Sequence, residues 1–322
     1  MEPRDAPTFV LPLRGAGGEP VSFSATVGSH GLAWLPPNAV AENQRALATT
    51  LLLGDGTARR VTLREEPAGM LAVRVAGRAL SAKRRGDVTA AIRAMFALDD
   101  DLAPFYARLA HDGELAFACA GMGRMLRSPS AFEDVVRTIC TTNCAWSATE
   151  RMIGALVGHL GTPASGPSMA DLARRGRAFP TAAQIARADD AFFREVARAG
   201  YRGAYLRALA RAVADGTVDF EVWRAAPRSE LSDDELARRL LLLPGVGPYA
   251  AAHIMMLFGR CSRLVLDSWT RPRYAQLVGK AIVADRTIER RFRRYGDHAG
   301  RAFWLLLWKS RHLAETLTSP AT

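Results

Sequence analysis

The residues best suited to chemistry fall in one stretch, LLLLPGVGPYAAAHIMMLFGRCSRLVLDSW, residues 240–269. Ser232 and Glu235 read as a capping box that opens a helix running through Leu243. Pro244, Gly245, Val246 and Gly247 then turn the chain sharply, since glycine accepts a positive φ and permits close backbone approach. Pro248 suits the first position of a second helix, which Gly259 stops. Helix, hairpin and helix leave amides unpaired at the turn, with the positive end of a helix dipole behind them. Amides placed this way hold a phosphate without reading sequence. An ordinary αα-hairpin in a bundle would use the same residues.

One acid follows, Asp267, 22 residues after Gly245. The second helix carries the chain about 16 Å from the hairpin at 1.5 Å per residue. The return to residue 266 spans up to about 26 Å when extended, so Asp267 can come back beside the hairpin. A carboxylate there can stabilise a developing positive charge and orient or deprotonate a water. It can equally cap a following helix starting at Ser268, and the two roles are compatible.

These residues need a scaffold, and the flanking sequence supplies two kinds. PTFVLPL, VSFSATV, GLAWLPP, TLLLGDGTARRVTLRE and MLAVRVAG are short β-prone runs separated by Gly, Pro, Asn and Asp. GDGTA at 54–58 reads as a hairpin turn, and AENQRALATTL as a helix between strands. From about Asp87 the apolar spacing becomes helical and stays so. The expected fold is α+β: a β-rich antiparallel domain over 1–86, then a mainly helical domain over 87–322. That second domain divides into two lobes joined by a linker near 161–169.

Composition narrows the partners. The 322 residues carry a formal net charge of +11, which favours a polyanion such as nucleic acid. Only Lys83, Lys280 and Lys309 are lysines, so nearly all the positive charge is arginine, which forks onto phosphate and forms no Schiff base. Cys119, Cys140, Cys144 and Cys261 show no CxxC spacing, and no metal site is expected. No basic-then-apolar leader and no long apolar run appears, so a soluble, cytoplasmic protein without a membrane partner is expected.

LPGVGPYAA followed by Asp267 resembles the helix–hairpin–helix (HhH-GPD) superfamily of DNA glycosylases. SPSAFEDVVRTICTTNCAW (128–146) is similar to the helix before that family's DNA-inserting loop. FPTAAQIARADDAFFREVARAGYRGAYLRALARAV (179–213) and YGDHAGRAFWLLLW (295–308) resemble segments of 8-oxoguanine DNA glycosylases before the hairpin and at the final helix. The β-rich start fits the same enzymes and the alkylpurine type. The resemblance implies base excision repair on double-stranded DNA holding a damaged base, by a monomer with a DNA-binding cleft, nucleoid-associated if bacterial. It implies no cofactor and allows a monovalent cation on the hairpin carbonyls.

The resemblance also implies roles. Asp267 is the catalytic carboxylate. Gly245, Val246, Gly247 and Tyr249 grip the DNA backbone. Asn143 enters the base stack, and Tyr201 and Arg202 attend the orphaned base. His253, one turn after Tyr249 on the same helix face, lines the base pocket with Phe303, Trp304 and Trp308. For His253 the residues alone leave an ordinary structural role equally open; for Tyr201 and Arg202 they favour one, a helix-start aromatic and a solvated charge; and core packing is the commoner fate of the final-helix aromatics.

Two departures bear on activity and substrate. Tyr249 stands where lyase-competent members carry lysine, and a phenol forms no imine, so a monofunctional enzyme is expected. Phe303 aligns with the glutamine that reads the base's polar edge in 8-oxoguanine enzymes, and the arginine that checks for cytosine aligns near Ala148. Alkylated purine is therefore the first expectation and oxidised guanine the second. A non-catalytic double-stranded DNA-binding protein remains the alternative.

Overall fold

The computed structural model describes residues 8–41, 44–164 and 176–318, with side chains through residue 310. Five strands, β1 (Thr8–Pro12), β2 (Ala39–Val40), β3 (Ala46–Leu52), β4 (Ala58–Glu66) and β5 (Met70–Val75), form one antiparallel sheet in the order β1-β5-β4-β3-β2. Alternation sets its buried face: Val61 and Leu63 of β4 and Leu71, Val73 and Val75 of β5 point into one core. The turn at 54–58 joins β3 to β4, and Asp55 Oδ1 accepts from the Thr57 amide at 3.0 Å.

Three local expectations are corrected here. The stretch 41–51, spaced like a helix, supplies β3, because pairing with β2 and β4 and burial of Leu47 and Leu51 outweigh local propensity. VSFSATV forms a short helix, α1 (Phe23–Val27), which Ser22 caps by accepting from the Ala25 amide. GLAWLPP, read as a β-prone run, supplies a 3-10 turn at Gly31–Trp34.

Twelve further helices are described: α2 (Ala82–Met95), α3 (Ala103–Leu109), α4 (Ala131–Thr141), α5 (Trp146–Ala155), α6 (Ala182–Arg187), α7 (Arg202–Ala214), α8 (Phe220–Ala225), α9 (Asp233–Leu241), α10 (Pro248–Leu257), α11 (Thr270–Leu277), α12 (Asp285–Phe292) and α13 (Ala299–Thr318). The change of period near 87 falls inside α2, whose Val88, Ile92 and Met95 pack in the sheet core.

The helices enclose two main cores. One gathers α4, α5, α7, α9 and α10 around Val136, Ile139, Leu206 and Ile254. The other joins α3 to α11, α12 and α13 through Phe105, Tyr274, Phe292 and Phe303. The second core is therefore discontinuous in sequence. The expected linker near 161–169 does not separate the lobes: Val157 before it and Phe179 after it share the first core. Residues 165–169 of that stretch lie outside the described residues. Among the described residues no helix is long and apolar enough to cross a membrane.

Candidate active site

The hairpin forms as its residues dictate. Ser232 Oγ accepts from the Glu235 amide, but Glu235 pairs with Arg238 and Arg239 instead of closing the capping box. Gly245 has φ +81°, and a Cβ there would lie 2.8 Å from Cδ2 of Tyr205. Val246 is buried in the α4/α10 core and anchors the turn. Gly247 is extended and exposed, with open space where a Cβ would go. Among the described residues, the amides of Gly245, Gly247 and Tyr249 have no partner within the chain.

Asp267 is half-buried just before α11. Its Oδ1 accepts from the amides of Trp269 (2.9 Å) and Thr270 (2.7 Å), and its own amide donates to Thr270 Oγ1 at 2.8 Å. It thus caps the turn leading into α11, two residues later than a start at Ser268. Among the described residues its Oδ2 has no hydrogen-bond partner. Pro272 falls in the helix's first turn, where its missing N–H costs no bond.

A cavity of about 500 Å³ lies where the sheet domain and the helical cores meet, and Asp267 lines it. Tyr249 and His253 of α10 form one wall, their rings 5.9 Å apart. Trp304 and Trp308 of α13 form another, and Trp304 Nε1 donates to the Ser29 carbonyl at 2.9 Å. Trp269 packs 5.8 Å from Trp304 and stays 42 % exposed, so it stands at the rim. Trp146 of α5 lies at the rim too, against Gly31, where a Cβ would come within 2.3 Å of the indole. The face of α4 carrying Asp134, Arg137, Thr138 and Thr141 completes the enclosure.

The ionisable groups here are tuned mainly by burial. His30 accepts from the Leu32 amide at Nδ1 and faces the Leu126 carbonyl at Nε2 (2.8 Å), which assigns it the neutral Nε2–H tautomer. Its burial, with the charge of the neighbouring His253, lowers its pKa to about 3. Burial alone lowers His253 to about 4, so both imidazoles are neutral at physiological pH. Burial raises the Tyr249 phenol; the Thr141 hydrogen bond (3.3 Å) opposes this and the Asp267 charge adds to it. Burial lifts Asp134 to about 7 against the pull of Ser128, whose amide donates to Oδ1 at 2.8 Å.

The loop after α4 presents Asn143, exposed with φ +46°. Its Nδ2 donates to the Tyr201 hydroxyl at 3.4 Å, and Tyr201 is 52 % exposed. Arg202 differs from expectation. It is buried, donates to the carbonyls of Thr142 and Asn143 (3.0 Å to the latter), and lies 4.6 Å over the Tyr201 ring. Its Nε and Nη2 hold the loop, so it is not a solvated charge, while Nη1 makes no hydrogen bond among the described residues.

Phe303 is the second correction. It packs fully buried between Tyr274 (5.9 Å) and Phe292 (5.2 Å) in the α3/α13 core and does not line the cavity. A helix offers different neighbours to adjacent residues, so Trp304 meets the cavity while Phe303 turns to the core. The structure therefore brings together Asp267, Tyr249, His253, Trp304 and Trp308. It adds His30, Asp134, Arg137, Trp146 and Trp269, which sequence reasoning missed. Trp269, two residues past Asp267, was open to notice; nothing local marks His30.

No protein-family model and no curated protein matches the sequence. Solved structures do. MBOgg1 in complex with a low-affinity DNA ligand matches at 19 % identity over 95 % of this chain and 96 % of that one, with a TM-score of 0.71. The 3-methyladenine DNA-glycosylase of Archaeoglobus fulgidus matches at 17 % identity over 94 % and 98 %, also with a TM-score of 0.71. The apo form of the Clostridium acetobutylicum 8-oxoguanine glycosylase/lyase matches at 18 % identity over 94 % and 96 %, with a TM-score of 0.67. The chain has the α+β fold of the helix–hairpin–helix DNA glycosylases.

Proposed function

We propose that this protein is a DNA glycosylase that hydrolyses the N-glycosidic bond of a damaged purine in duplex DNA and leaves an abasic site. The observation that carries the reading is the position of Asp267. It lines an aromatic cavity of about 500 Å³, which has room for a purine base, next to Tyr249 at the start of the hairpin helix. A duplex hides its bases, so the nucleotide must be extruded before the bond can be reached. The free amides of Gly245, Gly247 and Tyr249 would clasp the strand, while Asn143 and Tyr201 fill the vacated stack. Departure of the base leaves positive charge on the sugar, which Asp267 stabilises while Oδ2 orients the incoming water.

No lysine lines the cavity among the described residues, and Tyr249 supplies a phenol at the head of α10. This supports a monofunctional enzyme. The preference for alkylated purine drew on Phe303, which faces away from the cavity, so it now rests on the aromatic walls alone; cationic rings stack well on indoles. Oxidised guanine is the second reading, favoured by the polar residues that α4 turns toward the cavity.

The test is a set of duplex oligonucleotides, each with one damaged purine, incubated with protein and then treated with alkali. Strand breakage after alkali, and no covalent adduct with borohydride, are expected. Salt-dependent binding with no breakage on any lesion would leave only a DNA-binding protein.

A further inference from the structure

The loop that carries Asn143 spans residues 142–145, between the end of α4 at Thr141 and the start of α5 at Trp146. Its two ends are held differently. At the first, Arg202 donates to the Thr142 and Asn143 carbonyls. At the second, Ala145 stands at the N-cap of α5 and offers no side-chain acceptor. Cys144 Sγ (3.2 Å) and Thr149 Oγ1 (2.9 Å) both donate to the Cys140 carbonyl and tie this end back to α4. The first turn of α5 takes its further support from the sheet domain. The six-membered ring of Trp146 lies on Gly31, where a Cβ would fall 2.3 Å from Cη2 and 2.7 Å from Cζ2. Trp146 Nε1 donates to Glu150 Oε1 at 3.0 Å, one turn on, and this holds the indole on its seat. The seat is itself fixed. The Ser29 carbonyl accepts from Trp304 Nε1 (2.9 Å), and Ser29 Oγ accepts from the Leu126 amide (3.0 Å). His30 Nε2 donates to the Leu126 carbonyl (2.8 Å), and its ring meets His253 edge-on at 5.6 Å. Ser29, His30 and Gly31 thus touch α13, α10 and α5 in turn, and all three line the cavity.

We infer that Trp146 is a positioning residue: seated on Gly31, it sets the distance between the Asn143 plug and the cavity that receives the base. The inference rests on the glycosylase reading above. Asn143 must enter the stack as the base leaves it, so plug and cavity act at the same moment and need a fixed separation. The plug belongs to the α4–α5 loop, whereas the cavity wall at 29–31 belongs to the sheet domain. An indole joins the two with a large, stiff contact. Trp146 acts through Asn143 and leaves the chemistry at Asp267 alone. Glycine is required at 31 for room and not for backbone conformation, since Gly31 is absent from the positive-φ residues.

Gly31→Ala tests it, because the new methyl takes the place of the indole without straining the backbone. The substrate is the lesion that the wild-type protein releases fastest in the set above, presented in two ways. In a fully paired duplex, extrusion and single-turnover excision are expected to slow about 10- to 100-fold, the scale of a small misplacement remote from the chemistry. As a single-nucleotide bulge the same lesion is already out of the stack, and its excision is expected to keep the wild-type rate. Hydrogen exchange of residues 142–150 in the free protein is expected to quicken. Trp146→Ala, which empties the seat, is expected to show the same split between the two substrates. Trp146→Phe lacks the far ring atoms that the methyl meets, so Gly31→Ala/Trp146→Phe is expected to extrude the paired lesion faster than Gly31→Ala alone, the sign of a direct contact. Equal losses on paired and bulged lesions, unchanged exchange and extrusion in the folded variants, or a double variant no faster than Gly31→Ala would overturn the positioning role and leave the glycosylase reading standing. A wild-type protein that releases no base from either substrate would instead sink the glycosylase reading and this inference with it.

Discussion

Asp267 and Thr270 hydrogen-bond each other in both directions: the Thr270 amide donates to Asp267 Oδ1 at 2.7 Å, and the Asp267 amide donates to Thr270 Oγ1 at 2.8 Å. The carboxylate is thereby locked to the head of α11 while Oδ2 stays available. Capping and chemistry use different oxygens of one group, so one substitution can separate them.

Asp267→Asn keeps an acceptor for the cap and removes the negative charge. Excision in a single turnover is expected to fall by about 10²–10³-fold, the scale of one lost transition-state contact. The unfolding midpoint and the affinity for an abasic-site duplex are expected to stay at wild-type values. Full excision by this variant would remove Asp267 from the mechanism.

Gly245→Ala forces a Cβ into a residue at φ +81° and 2.8 Å from the Tyr205 ring. The strain and clash are expected to cost about 1–3 kcal/mol. The hairpin amides would shift with it, so duplex binding should weaken in a titration at fixed salt. Unchanged stability and affinity would show that the turn tolerates a side chain.

Arg202 holds the Thr142 and Asn143 carbonyls from below the exposed loop. Arg202→Met retains the apolar stem and removes the donors. Base extrusion, followed by a fluorescent purine next to the lesion, is expected to slow about tenfold, in line with roughly 1–2 kcal/mol for lost charge-assisted bonds. Wild-type extrusion kinetics would mean that Asn143 needs no such support.

His253 titrates near 4 in the fold against about 6.5 unfolded, so the folded state favours its neutral form. The stability it contributes is present above about pH 6.5 and is lost as the pH falls toward 4. His30 has the same sign, whereas Asp134, raised to about 7, contributes below its unfolded value and loses that as pH rises through 7. Comparison with His253→Gln isolates one group. Between pH 6.5 and 4 the wild type should lose stability relative to the variant by up to about 1.4 kcal/mol per pH unit. Parallel pH profiles for the two proteins would contradict a neutral, buried His253.

Much of the molecule was legible along the chain. The hairpin, the second helix and the return that brings Asp267 back follow from two glycines, one proline and the reach of an extended segment. The strands β4 and β5 follow from alternation, and Trp304 and Trp308 share a helix face with simple spacing. These are rules between residues a few positions apart, and they hold wherever the segment ends up. The walls of the cavity obey no such rule. His30 reaches the Leu126 carbonyl across 96 positions, and Trp304 reaches Ser29 across 275. Residues 46–52 became strand β3 because β2 and β4 flank them. Phe303 and Trp304 are neighbours in sequence, but one fills a core and the other a cavity, and Arg202 was buried under a loop 60 residues away. Local chemistry decided which groups are present; only the packing of distant surfaces, which minimises exposed apolar area and leaves few polar groups unpaired, decided which of them face the same space.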